Sequence, residues 1–168
     1  LVLLLHGFPE LAFSWRHVLP ALAAAGFHAI APDQRGYGRT TGWDARYDGD
    51  VGSFRMLNLA RDALGLVMAL GYRQAHAVVG HDFGSPVAAW CALVRPDVFQ
   101  RVVLMSAPFA GPPALPFNTA NRPAAAKPVD VHAALAALPR PRKHYQWHYA
   151  TPGANDELMQ APQGVHDL

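Results

Sequence analysis

A mostly parallel β-sheet with helices on both faces is the fold class this chain predicts, and three observations carry it. Short apolar runs without alternation, such as "LVLLL" (residues 1–5) and "AVV" (77–79), suit strands buried on both sides. Longer stretches between them carry apolar residues at helical spacing. Glycines such as Gly7, Gly26, Gly71 and Gly80 punctuate the joints. Strand and helix therefore alternate along the chain, which is the pattern of a parallel sheet with crossover helices.

Each element has its own signal. "LVLLLHG" (1–7) is a continuous apolar run ended by Gly7, a core strand. Ser14 is expected to cap a helix running to about residue 25, with Val18, Leu19, Leu22 and Ala25 at helical spacing and Gly26 as its stop. "FHAIAPD" (27–33) is a second strand, and "DQRGYGRTTG" a loop. A helix over about 54–70 gathers Leu57, Ala60, Leu64, Val67 and Met68 on one face, with Gly71 after it. "AHAVVGH" (75–81) is a third strand, 83–94 a helix ended before Pro96, and "RVVLMS" (101–106) a fourth strand. From Ala107 the texture changes. "APFAGPPALPFNTANRPAAAKP" is rich in Pro and small residues and predicts irregular structure. A short helix over 129–138 and the aromatic stretch "KHYQWHYATPG" follow. The expected boundary lies near Ala110, with a sheet domain over 1–110.

Composition narrows the function classes. Among 168 residues, 14 are Lys or Arg and 12 Asp or Glu, scattered without a basic block. That leaves no footprint for nucleic acid or an anionic membrane. No apolar run approaches the ~20 residues of a membrane span. The single cysteine, Cys91, excludes an intramolecular disulfide, reads as a buried inert thiol, and fits a reducing, cytoplasmic setting. The chain starts at Leu1 already inside a core strand and stops at "GVHDL", so it is expected to be a piece of a longer protein.

Open parallel sheets bind ligands at the carboxyl ends of their strands. Three stretches converge there: "HGFPE" (6–10), "DQRGYGRT" (33–40) and "GHDFGS" (80–85). In the last, Asp82 sits between a strand and a helix, with Gly80 two residues before it and Gly84 two after. Small residues at those positions allow a sharp bend that lifts the central side chain above the sheet. On the turn alone, Asp82 serves equally well as a helix cap. Ser85 points away from the apex as a small packing residue, and Ser106 ends a strand without such a bend; neither is favoured as a nucleophile. His6 suits a structural hydrogen bond better than a catalytic base. His81 should face away from the apex, because neighbours on an extended chain point to opposite faces. Asp33, Arg35, Gly36 and Gly38 read as loop hydrogen bonding and tight turns. No His-x-x-x-His or Cys/His spacing supports a metal site.

Taken as an ordered set, "HGFPE", "DQRGYGRT", "GHDFGS" and "PDVFQRVVLMSAPF" resemble the α/β-hydrolases whose nucleophile is Asp, and among them the epoxide hydrolases most. The resemblance covers nearly the whole chain. It implies an α/β-hydrolase fold, with 111–168 as a linker and the beginning of a helical cap. Asp82 would be the nucleophile, forming an alkyl–enzyme ester from a small apolar epoxide that water then hydrolyses to a diol, with no cofactor and no metal. The backbone N–H groups of Phe8 and Phe83 would form the oxyanion hole. His6, Gly7, Pro9, Gly80 and Gly84 would shape the site. Phe8-Pro9 is a candidate cis bond, although trans is the commoner isomer. Tyr145 would be the cap proton donor by its "Y-Q" context, with Tyr149 an equally placed alternative. The histidine base and its acid partner should follow Leu168, so full turnover is not expected of this chain alone.

Two other function classes compete. A haloalkane dehalogenase uses the same Asp chemistry, but its halide needs side-chain N–H donors that Phe8 and Phe83 lack. Fluoroacetate-type dehalogenases carry Arg after the nucleophile, where Phe83 stands. A non-catalytic member of the fold would keep the pocket for binding alone.

Overall fold

A computed structural model describes residues 1–109, 111 and 129–164. The chain divides into two compact units, Leu1–Pro112 and Pro113–Leu168.

The first unit is a four-stranded parallel sheet in the order β2-β1-β3-β4. Its strands are β1 (Val2–Leu5), β2 (Ala29–Ile30), β3 (Ala77–His81) and β4 (Val102–Met105). Three helices join them: α1 (Val18–Ala24), α2 (Met56–Ala69) and α3 (Gly84–Val94). β1 is central and buried along its whole length, and its side chains feed two cores. Leu3 and Leu5 pack with Ala60, Ala63 and Val67 of α2 and Val87, Ala88 and Cys91 of α3. Val2 and Leu4 pack on the other face with Trp15 and with Leu19 and Leu22 of α1. The sheet therefore carries helices on both faces, as the sequence predicts. Cys91 is fully buried, and burial pushes its thiol up to about 12.

Three local expectations change. The helix expected from Ser14 is instead a 3₁₀ turn, Ala12–Trp15, followed by α1, and Ser14 caps nothing. Pro20 explains the break: in a helix begun at Ser14 it would be interior, where it lacks an N–H and its ring strikes the carbonyl of Arg16. In α1 it falls in the first turn, where that N–H has no helical partner. β2 is only two residues long, because Pro32 has no N–H for a ladder and the Asp33 carboxylate bonds to Ala12. The buried stripe of α2 is Leu59, Ala60, Ala63 and Val67, while Leu57 and Met68 are exposed. Two of these four buried residues are alanines, Ala60 and Ala63, packed in one core with Val87, Ala88 and Cys91 of α3. All four residues of β4 are exposed among the described residues.

The second unit contains α4 (Val131–Ala136), capped by the Asp130 side chain on Ala133 N–H, then α5 (Tyr145–Tyr149) and α6 (Ala154–Met159). Most of the Pro-rich stretch, 110 and 112–128, lies outside the described residues.

Candidate active site

The turn between β3 and α3 is built by close approach of main chains. A Cβ on Gly80 would overlap the carbonyl of Gly84, and a Cβ on Gly84 would overlap the carbonyl oxygens of Leu5 and His6. The start of α3 can therefore rest on the ends of β3 and β1 only because Gly80 and Gly84, respectively, carry no Cβ. Between them Asp82 adopts φ +50°, a left-handed conformation that costs a non-glycine residue ~1–2 kcal/mol. The surrounding bonds hold it there. Asp82 N–H donates to the Met105 carbonyl (3.0 Å), and the Asp82 carbonyl accepts from Ser85 N–H (2.9 Å). Phe83 follows with helical angles and precedes the first residue of α3.

Ser85 does more than pack. It is fully buried, its Oγ lies 2.8 Å from the carbonyl oxygens of Gly80 and Met105, and it accepts from Met105 N–H at 3.1 Å. One hydroxyl thus bridges the elbow to β4. Nothing in the local pattern separates this role from simple packing, because its partner lies 20 residues away.

The loop after β1 meets Asp82 from the other side. Phe8 N–H donates to Asp82 Oδ1 at 2.9 Å. A Cβ on Gly7 would collide with the Asp82 side chain, so only glycine lets the loop come this close. Glu10 N–H closes the turn on the Gly7 carbonyl (3.1 Å), and the Phe8-Pro9 peptide is cis.

His6 locks this loop to the one after β2. Its Nε2 accepts from Gln34 N–H (3.0 Å), which assigns the ring proton to Nδ1, and Nδ1 donates to the Gly7 carbonyl (2.8 Å). Both nitrogens are thereby engaged in a fully buried ring, a structural arrangement. The Gln34 side-chain amide donates back to the His6 carbonyl. Sequence reading passes over Gln34, since its partner is a main-chain atom 28 residues away. Asp33 accepts from Ala12 N–H (2.9 Å) and Arg39 N–H (3.3 Å), and the Ala12 bond foremost holds its carboxyl below the usual range. A Cβ on Gly38, at φ +52°, would overlap that carboxylate. Arg35 donates through two nitrogens to Asp62 (2.6 and 2.7 Å), outside the site. His81 turns its Nδ1 to Glu10 Oε2, 3.0 Å away.

The structure thus brings Asp82, Phe8, Gly7, His6, Gly80 and Gly84 into one constellation within the first unit. Tyr145 and Tyr149 are the first and last residues of α5 in the second unit, each about half exposed. There the His144 ring stacks on Tyr145 at 5.3 Å. Among the described residues no cluster of three or more His, Cys, Asp or Glu side chains could hold a metal ion. No described helix is long and apolar enough to cross a membrane.

A strand–elbow–helix with a positive-φ aspartate, met by a main-chain amide from a glycine-proline loop, defines a class of enzyme scaffold. The family described as alpha/beta hydrolase fold matches residues 1–142, and the chain belongs to it. Within that family the chain is similar to epoxide hydrolases. Epoxide hydrolase B of Mycobacterium tuberculosis is 43% identical over 141 residues, covering 81% of this chain and 36% of the relative. An epoxide hydrolase structure from an endophytic Streptomyces has a TM-score of 0.68 at 41% identity, covering 95% of this chain and 42% of that one. A mutant of potato epoxide hydrolase has a TM-score of 0.69 at 34% identity, covering 99% and 47%. The chain therefore spans between about a third and just under half the length of these relatives.

Proposed function

We propose that this chain carries the nucleophile-bearing part of an epoxide hydrolase, and that Asp82 is the nucleophile. The observation that supports this best is the Phe8 N–H bond to Asp82 Oδ1, made at a positive-φ apex. The other carboxylate oxygen attacks a ring carbon of the epoxide. A C–O bond of the ring breaks, and the departing oxygen takes a proton from the phenol of Tyr145. Oδ1 is left as the carbonyl oxygen of the alkyl ester, already facing the Phe8 amide. When water adds to the ester carbon, the negative charge develops on that same oxygen, so the donor needs no rearrangement. Phe83 N–H is the second donor, at the entrance to α3. Collapse breaks the ester C–O bond and restores the Asp82 carboxylate; of the two protons of the added water, one goes to the departing alkoxide, giving the second hydroxyl of the diol, and one returns to the Tyr145 phenolate.

In this reading 1–110 is the core and 111–168 the linker and beginning of a cap that carries Tyr145. The substrate is a small apolar epoxide, and a reducing cytoplasm suits the lone buried Cys91. The aromatic side chains of Phe8 and Phe83 favour an epoxide over a haloalkane, because neither has a side-chain N–H for a departing halide.

The test uses the protein of the complete reading frame, with styrene oxide and 1-chlorobutane as substrates and intact-mass analysis of quenched reactions. Epoxide opening should exceed halide release at least a hundredfold, the order that one missing donor to developing charge produces. A substrate-sized adduct should appear on the peptide holding Asp82 and vanish in Asp82→Asn. Turnover that survives Asp82→Asn, with deamidation excluded, returns Asp82 to a capping role. Equal rates on the two substrates favour the dehalogenase reading.

A further inference from the structure

The buried hydroxyl of Ser85 takes no part in the mechanism above, yet it stands where the backbone of the nucleophile is fixed. Ser85 Oγ lies 2.8 Å from the carbonyl oxygens of Gly80 and Met105, which share its one proton, and it accepts from Met105 N–H at 3.1 Å. From this geometry we infer that Ser85 is a positioning residue for the reaction. Its hydroxyl holds the Met105 carbonyl, and that carbonyl holds Asp82 in the left-handed conformation from which its carboxylate reaches Phe8 N–H. The inference deepens the reading of Asp82 as the nucleophile and rests on it.

Three observations carry it. Both main-chain groups of Asp82 end on the same pair of residues. Its N–H donates to the Met105 carbonyl (3.0 Å), its carbonyl accepts from Ser85 N–H (2.9 Å), and the Ser85 hydroxyl closes the circuit onto Met105. A residue at φ +50° is strained and stays there only while such bonds outweigh the strain.

The Met105 peptide is also in an irregular place. β4 ends at Met105, and the next residue, Ser106, is at φ +67°. Asp82 and Ser106 are the two non-glycine residues with positive φ among the described residues. The carbonyl that receives the Asp82 N–H thus sits at a strained strand end, and Ser85 grips Met105 through both its N–H and its carbonyl.

Packing, finally, does not ask for a hydroxyl. Ser85 is buried on the side of α3 where Ala88 and Ala89, three and four residues on, are buried too. A methyl fills such a space, whereas a buried hydroxyl costs free energy unless it is bonded. Here it is bonded to main-chain atoms of β3 and β4, so it shapes the turn and does not merely fill it.

The experiment has a spectroscopic arm and a kinetic arm, both on the protein of the complete reading frame as wild type, Ser85→Ala and Ser85→Cys. The cysteine fills the site but offers only a weak donor. In the first arm the Phe8 amide is followed by NMR with isotope-labelled phenylalanine and assigned with Phe8→Leu. In both variants it should move upfield, as Asp82 turns its carboxylate away. In the second arm, quenched-flow and intact-mass analysis give the rate constant for ester formation from styrene oxide. It should fall roughly ten- to a hundredfold in both variants, the scale of an ångström-sized misplacement, while the apparent dissociation constant of the epoxide stays within about twofold. A rate constant read in a single turnover does not depend on how much of the sample is folded. If Ser85→Ala does not fold, Ser85→Cys carries both arms.

A Phe8 resonance that stays in place, or ester formation within about twofold of wild type, overturns the inference and leaves the epoxide hydrolase reading standing. Ester formation restored by cysteine shows that volume and not the hydroxyl is required, and overturns it too. A Phe8 shift in the variants of a protein that opens no epoxide keeps Ser85 as the residue that places the Asp82 carboxylate, and overturns the hydrolase reading instead.

Discussion

The elbow that carries Asp82 and the loop after β2 are held by different means. The elbow between β3 and α3 is fixed by main chain against main chain: Gly80 on Gly84, and Gly84 on the carbonyls of Leu5 and His6. The loop after β2, residues 33–43, is fixed by side chains: Asp33 on Ala12, Gln34 on His6, Thr40 on the Asp33 carbonyl, and Arg35 on Asp62. A main-chain collision has no flexible partner that can yield, whereas a side-chain bond can be lost singly. Substitutions in the elbow should therefore fail steeply, and those in the loop by degrees.

Gly84→Ala is the largest expected effect. Its new methyl meets two backbone oxygens of β1, so we expect a loss of about 3 kcal/mol or more, read as a collapse of the denaturation midpoint. A near-wild-type midpoint would break the comparison at its root. Gly7→Ala is the next test, because there the methyl meets a side chain, that of Asp82, which can turn away. Stability should fall less than in Gly84→Ala, while the proposed epoxide hydrolysis, measured on the protein of the complete reading frame, should fall on the order of a hundredfold if Asp82 is the nucleophile, through misplacement of its carboxylate.

Gln34→Ala should destabilise by about 1 kcal/mol and lower kcat while KM stays within twofold, since the His6–Gly7 main chain loses one tether rather than the substrate site. Gln34→Glu should be worse than Gln34→Ala, because a carboxylate would face the His6 carbonyl. The reverse order would show that the donor itself does not matter.

Asp33 gives a pH test. Its carboxyl titrates lower in the folded protein, chiefly through the Ala12 amide, so its stabilisation is fully present above pH ~4 and is lost as pH falls through the depressed value. Asp33→Asn removes that dependence. Wild type and variant should differ by about 1 kcal/mol near neutrality and converge toward pH 2, as followed by urea unfolding. The smallest effect belongs to Arg35→Met. The Arg35–Asp62 pair is partly exposed, and losing it should change stability by less than about 0.5 kcal/mol.

Legibility in the sequence divides along the same line. The elbow was readable because its requirement is local: two glycines spaced evenly about Asp82, between an apolar run and a helix start. The close approach of the loop after β1 was readable for the same reason, in "HGFP". The roles of Gln34, Ser85 and Glu10 were not, since each bonds to a group at least 20 residues away and no spacing announces it. The helix expected from Ser14 failed on a single neglected residue, Pro20, whose tolerance for the first helical turn shifts the start to Val18.

The sequence by itself determined the alternation of strand and helix, the parallel sheet and the apex position of Asp82. These follow from apolar periodicity and from glycine's unique freedom to accept close or left-handed backbone, both properties of short segments. Only the tertiary structure decided which face of α2 is buried, which ring nitrogen of His6 carries the proton, and that five aromatic residues from four separate stretches wall one cavity. Those outcomes depend on which distant groups come within hydrogen-bonding or van der Waals range, and that is fixed only when the sheet has assembled.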